Sequence, residues 1–445
     1  MSLWLHLPAH GRGRGLAPGL RRLLRQVPAR WDVPELPEVG GPLIPTGWVA
    51  QAQKECAELL GAERCWFGVN GASGLLQASL LAMAEPGSRV LLPRNLHRSL
   101  LHGCLLGDLE PVLFDLPFDP ATGLWLPPPA PHLAQVIAAA QATGPLAALV
   151  LVDPSYHGLA GDLPALVALG HQAGLKVLVD QAHGQGEALA AGADLVVVSC
   201  QKSSGGLAQS ALVLHQGERV DPWAMERALL WLQSSSPSAL LLASAAASVR
   251  HATSARGQGQ RRRALAIAGR LRRRCYQKQL PLVANQDPLR LVLHTAAMGI
   301  NGLEADGWLM ERGVIGELPE PGTLTFCLGM QPPAWLEWRL PRQLVALRSA
   351  LGGPPLPPFS APPLPLVASP AMPLGQAWRS PATSVPLADA VGRIAAEPLC
   401  PYPPGIPLLV PGERIDGDRA AWLASQQVLW PGQIADTVKV VATYS

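Results

Sequence analysis

An α/β protein built around a mostly parallel sheet is the fold class that this sequence predicts. Short apolar runs alternate with helical segments between residues 51 and 199. Each run closes on a polar loop, so polar groups collect at the carboxyl ends of the strands, where parallel sheets bind ligands. A smaller α+β unit and a terminal module then follow along the chain.

Residues 1–45 are rich in Arg, Gly and Pro and hold one helix, near 20–27. The large domain is expected over 46–279. A helix over 51–60 leads into Val69-Asn70-Gly71-Ala72-Ser73-Gly74 and an apolar helix over 75–83. Strand 89–92 is followed by the loop Pro93-Arg94-Asn95-Leu96-His97-Arg98-Ser99, helix 100–106 and strand 111–114. Helix 132–141 precedes strand 147–152, which ends on Asp153-Pro154-Ser155-Tyr156-His157-Gly158. Helix 163–173 brings the chain to strand 176–179 and then to Asp180-Gln181-Ala182-His183-Gly184. The run Leu195-Val196-Val197-Val198-Ser199 ends three residues before Lys202 and the loop Ser203-Ser204-Gly205-Gly206.

An Arg-rich helix, carrying Arg261–263, Arg270 and Arg272–274 among Leu265, Ile267 and Leu271, closes this domain. Its spacing predicts an amphipathic helix with a solvated basic face. Strands over 291–295 and 324–328 and a helix over 303–312 predict a small α+β domain spanning 280–351. Residues 352–386 are dense in Pro and Ser without period and read as a linker or extended wrap. Residues 387–445 read as a compact terminal module.

The composition, 48% hydrophobic and 15% charged over 445 residues, supplies a substantial core. A net charge of +3 gives no reason to expect nucleic acid as a partner. Seven scattered cysteines without a CxxC pair fit a reducing compartment, and the eleven histidines show no metal-ligand spacing. The first residues carry too short an apolar run for a signal peptide, and no run approaches membrane-spanning length. A soluble, cytoplasmic protein is the expectation.

Lys202 and Asp180 stand at the ends of two successive strands, 22 residues apart, and can face one ligand. A lysine for covalent attachment and a carboxylate to keep a pyridine nitrogen protonated are what pyridoxal 5'-phosphate (PLP) requires. Each residue alone has a plainer reading, a surface lysine and a loop N-cap, which the pairing outweighs. Gly71, Ala72 and Ser73 open a helix whose bare amides, dipole and Ser73 hydroxyl form a phosphate cradle.

The ordered motifs NGASG, PRNLHRS, DPSYHG, DQAHG, SCQK and PYPPGIPLLVPGE resemble those of the fold-type-I, PLP-dependent Orn/Lys/Arg decarboxylases. The compact form without a receiver-like domain is the nearest match. The segments LHLPAHGRG and SSSPSALLLAS (residues 234–244) extend the resemblance over nearly the whole chain. It implies decarboxylation of arginine, lysine or ornithine to agmatine, cadaverine or putrescine. It places His97 on one face of the PLP ring and Ala182 under the other. His183 reads either as a supporting group or as a catalytic one, and Ser155 as a cofactor contact or a simple turn residue. Ser199 and Gln201 fall beside the phosphate and the attachment lysine. The resemblance also implies a homodimer, with Ser236 and Ser238 reaching a neighbour's phosphate. Glu413 and Glu317 are candidates to meet the distal amine or guanidinium of a basic substrate; each reads equally well as a solvated carboxylate.

Departures from the family pattern touch the same region. Gln201 replaces a His that could titrate, and Gln181 replaces the Glu of DEAHG. Ala9 and Gly11 replace the Gly and Lys of PGHK, Ala72 a Ser or Thr, Ala239 a Tyr and Ala246 an Asp. An aminotransferase, an aldolase-type lyase or a catalytically weakened PLP-binding regulatory protein therefore stays open beside the decarboxylase.

Overall fold

Seven strands of one sheet carry the α/β layer: β1 (Arg64–Gly68), β2 (Arg89–Pro93), β3 (Glu110–Phe114), β4 (Ala148–Val152), β5 (Lys176–Asp180), β6 (Leu195–Ser199) and β7 (Ala211–His215). The computed structural model describes residues 2–26, 31–33, 36–400 and 405–442. In it the spatial order is β3-β2-β4-β5-β6-β7-β1, and Val367–Ala368 adds an eighth strand outside β3. Strands β2 to β6 are parallel, and β7 runs antiparallel to both its neighbours. The winding direction reverses between β2 and β4, which opens a crevice at the carboxyl ends of the strands.

Period-two alternation buries both faces. Val177 and Val179 of β5 enter one core while Leu178 enters the other; in β6, Val196 and Val198 oppose Leu195 and Val197. Strands covered on both sides read as continuous apolar runs, which is why these two are plain in the sequence. Each such buried side chain contributes about 1.5–3 kcal/mol.

The helices Gly47–Leu60 and Gly71–Met83 each begin four residues earlier than the apolar pattern predicts. The second extension places Gly71, Ala72 and Ser73 in the helix's first turn, facing the crevice. Gly71 enters at a φ of 66°, a conformation that favours glycine. Strands β1 and β7 form where the sequence pattern predicts none. Lys202 sits in a one-turn helix, Cys200–Ser203, that follows the strand and precedes the predicted loop.

Strands Arg290–His294, Thr323–Cys327 and Leu318–Glu320 make the small antiparallel sheet, in that order. The Arg-rich helix, Ala255–Gln277, buries Ala264, Ala268, Leu271 and Cys275 and exposes Arg262, Arg263 and Arg273. The N-terminal segment joins the small sheet's neighbourhood, since Leu3–Trp4 pairs in parallel with Val314–Ile315. It also reaches the residue before Lys202: the Ala9 amide donates to the Gln201 carbonyl at 2.9 Å. Gly205, with φ at 72°, allows that approach, because a Cβ there would lie 2.3 Å from the Gly15 carbonyl oxygen.

Strand Ala382–Pro386 pairs with Thr437–Val441, so the terminal module's two-stranded sheet begins inside the stretch read as linker. Helix Gly417–Gln426 packs over this module's own core, which includes Leu409, Ile415, Leu423 and Val440. Val27 and the Pro401-Tyr402-Pro403-Pro404 run lie outside the described residues. All seven cysteines are free. Among the described residues, no cluster fit to hold a metal ion occurs and no helix is long and apolar enough to cross a membrane.

Candidate active site

The eleven residues proposed for cofactor contact line one cavity of ≈ 260 Å³ at the carboxyl ends of β4, β5 and β6. They are Gly71, Ala72, Ser73, His97, Ser155, Asp180, Ala182, His183, Ser199, Gln201 and Lys202. Asp180 is the last residue of β5 and is 5% exposed. Its Oδ1 accepts the Ala182 amide at 3.0 Å. Burial raises its carboxyl above the usual range, while the nearby Lys202 pulls it down. A buried carboxylate of this kind calls for a cationic partner.

Lys202 faces it across the cavity. Burial lowers its ammonium pKa first of all; Arg290 lowers it further, and Asp180, Glu317 and Cys327 act in the opposite sense. Nζ also lies 5.7 Å from the centre of the Tyr156 ring. Its hydrogen-bond partner is His183 Nε2 at 3.0 Å. On the other side of that ring, Arg290 Nη2 lies 3.3 Å from His183 Nδ1. A guanidinium only donates, so Nδ1 must accept and the neutral ring carries its proton on Nε2. Burial, with Lys202 and Arg290 close by, holds His183 well below its ordinary pKa and keeps it neutral. An N–H aimed at Nζ needs a lone pair there, which favours the uncharged, nucleophilic amine.

Arg290 is 3% exposed, and its Nε has no partner among the described residues. It is a functional residue that sequence reasoning missed; the available signal was an arginine opening a fully apolar strand, Arg290–His294. Replacing it with methionine is expected to raise the Lys202 pKa. The rate at which cofactor-free protein captures added PLP, followed by absorbance against pH, should then have its midpoint at higher pH than wild type. An unchanged or lower midpoint would break the link.

His97 caps the helix Arg98–Gly107, its Nδ1 lying 2.8 Å from Ser99 Oγ and accepting the Ser99 amide at 3.3 Å. Its outer edge is exposed in the single chain, but partial burial and the charges of Lys202, Arg98 and His102 lower its pKa to about 4. Ser155 serves its turn and the cavity at once: Oγ accepts the Leu159 amide at 3.3 Å. The Gln181 side chain takes the amides of Gly186 at 2.9 Å and Ala188 at 3.2 Å. An amide oxygen does this as well as a carboxylate, so that departure leaves the loop intact.

Both carboxylates expected to meet a substrate's distal group are engaged elsewhere. Glu413 is 3% exposed and chelates Arg94, with Oε1 at 2.7 Å from Nη2 and Oε2 at 2.9 Å from Nη1. Arg419 adds a contact at 3.1 Å and the Val410 amide one at 2.8 Å. This network clamps the PGE motif onto the PRNLHRS loop, so Glu413 is structural. Glu317 accepts the Tyr156 hydroxyl on Oε1 and the Leu7 amide on Oε2 at 2.6 Å, and it does not line the cavity. The carboxylate that does line it besides Asp180 is Glu320, 5% exposed and bonded to His157 Nε2.

The family model for the Orn/Lys/Arg decarboxylase major domain matches residues 5–283, and that for the C-terminal domain matches residues 359–429. The chain belongs to the Orn/Lys/Arg decarboxylase family. An arginine decarboxylase of Halalkalibacterium halodurans is 28% identical over 94% of this chain and 89% of its own length. One from Bacillus subtilis is 27% identical over the same shares. Among solved structures, lysine decarboxylase A from Pseudomonas aeruginosa superposes with a TM-score of 0.78 at 18% identity, over 97% of this chain and 78% of that one. A serine palmitoyltransferase of Sphingomonas wittichii follows at 0.62 and 19% identity, over 79% and 88%. These two place the fold among the fold-type-I PLP enzymes.

PLP is the cofactor of this Orn/Lys/Arg decarboxylase family member, and the residues present fit it. Asp180 supplies the buried anion, and Lys202 a low-pKa amine on the same cavity. Ala182, 5% exposed and small, lines the same cavity as His97. The first turn of Gly71–Met83 presents Gly71, Ala72 and Ser73 at the far wall. No side chain caps that helix; the Gly71 amide is spent on the Gln209 carbonyl at 2.8 Å, which leaves the Ala72 and Ser73 amides for a phosphate.

Proposed function

We propose that this chain removes the α-carboxylate of arginine as carbon dioxide, forming agmatine, with lysine and ornithine as the competing substrates. The observation that carries this reading is the meeting of Lys202 and Asp180, with nine further residues of five motifs, on one cavity. Arginine is favoured over the other two by the relatives, whose names are arginine decarboxylases at 94% coverage of this chain.

Bound PLP supplies an electron sink for the bond to the departing carboxylate. Lys202 would anchor the cofactor, and its amine would be placed to move a proton at the reacting carbon. Asp180 would hold a proton at the pyridine nitrogen. His97, neutral with a pKa of about 4, covers the ring without adding charge. His183 donates from Nε2 toward the Lys202 nitrogen, and Tyr156 packs on the His183 ring with centroids 4.3 Å apart. Gln201 lines the cavity and cannot titrate.

The cytoplasm, where unpaired thiols persist, is the proposed location. At least a homodimer is the proposed assembly: the helix Pro222–Leu232, just before the Ser234–Ser238 segment, exposes Trp223, Leu230 and Trp231, the last at 75%. Incubating PLP-loaded protein separately with arginine, lysine and ornithine, and reading carbon dioxide and amine, tests the substrate. Agmatine formed fastest supports arginine; a keto acid in place of an amine would make the chain an aminotransferase.

A further inference from the structure

Resting on the decarboxylase reading, one feature of the cavity speaks to what the substrate carries at its far end. Glu320 closes the strand Leu318–Glu320 of the small sheet and lines the cofactor cavity. Its two contacts, from His157 Nε2 and from the Thr323 hydroxyl at 3.5 Å, both fall on Oε2. Oε1 has no hydrogen bond among the described residues. A carboxylate 5% exposed with one free oxygen is costly unless a donor or a cation reaches it.

Behind Glu320 lies a second, smaller chamber of ≈ 40 Å³. Trp125, Glu320 and Ile406 line both spaces, so these three residues form the wall that the two share. The chamber's walls are aromatic: Phe118 and Trp125 meet edge to face at 5.7 Å, and Phe359, Trp422 and Trp430 complete them. The Trp422 indole N–H is spent on the Ser360 carbonyl at 3.1 Å. Aromatic faces beside a buried carboxylate with one oxygen to spare suit a cation, because ring quadrupoles and the carboxylate both attract positive charge. With Glu317 and Glu413 engaged elsewhere, Glu320 is the carboxylate free to take this part.

We propose that Glu320 and the aromatic chamber behind it form the subsite for the substrate's distal cation, the guanidinium or ammonium of a basic amino acid. Glu320 is thereby a specificity-determining residue, and the terminal module, through Ile406, Trp422 and Trp430, walls the end of the substrate.

The test compares arginine with citrulline, which has the same length and a planar but uncharged head, on PLP-loaded wild type, Glu320→Gln and Glu320→Asp. Glu320→Gln should lower kcat/KM for arginine about 30-fold or more while leaving citrulline little changed, and Glu320→Asp should keep the preference for charge. Equal losses on both substrates, or an unchanged ratio, would overturn the subsite. Calorimetric titration of the same three proteins with arginine reads binding without turnover. If wild type makes no amine from any basic amino acid, the decarboxylase reading fails. The titration then decides the subsite alone: weaker binding in Glu320→Gln and not in Glu320→Asp supports it, and equal binding in all three overturns it.

Discussion

Lys202→Ala is expected to reduce amine formation by about 10²–10⁴-fold or more, because it removes both the cofactor's anchor and a positioned proton donor. The fold should survive. The Lys202 side chain makes one hydrogen bond, to His183 at 3.0 Å, and no ion pair within the described residues. PLP should still bind the variant through Asp180 and the helix N-terminus, without the absorbance of a lysine-bound cofactor. Adding a small primary amine should return part of that absorbance and little of the turnover. Wild-type amine production by Lys202→Ala would take Lys202 out of the chemistry.

The largest expected effect on stability lies away from the reacting centre. Glu413→Ala leaves the Arg94 guanidinium, 1% exposed, without its chelating carboxylate, and takes one partner from Arg419. Breaking a buried ion pair from one side costs about 3–5 kcal/mol. Urea unfolding should show that loss for Glu413→Ala and a smaller one for Glu413→Gln, which keeps an acceptor. Acid should act in the same direction. Burial raises the Glu413 carboxyl, but the Arg94 bonds and the Arg94 and Arg419 charges win and hold it below the usual range. The stabilisation is therefore present at neutral pH and lost as pH falls through that lowered value. A Glu413→Ala protein as stable as wild type at pH 7 would contradict the clamp.

Glu413 also shows where the sequence stops being legible. Its motif stands out, but its partner Arg94 lies 319 residues away, so nothing local distinguishes a substrate contact from an internal ion pair. Glu320 is harder still. Flanked by Pro319 and Pro321, it reads as part of a turn, and only the packing of the small sheet against the large one brings it to the cavity. By contrast, Asp180 and Lys202 are legible because strand ends and residue types are local facts, and parallel strands bring their ends to one edge. Strands β1 and β7 are as long as the others, and what sets them apart is non-local: they pair antiparallel with each other at one end of the sheet, although 142 residues separate Gly68 from Ala211. Gln181 was read as a loss, yet its oxygen holds two loop amides, a service that needs no charge.

Amine production by PLP-loaded wild-type protein, offered all common amino acids together and read by mass spectrometry, tests the central claim most directly. Agmatine, or a single amine from another basic amino acid, appearing with carbon dioxide is the predicted result. A protein whose absorbance shows PLP bound to Lys202, yet which forms no amine from any of them, would contradict it.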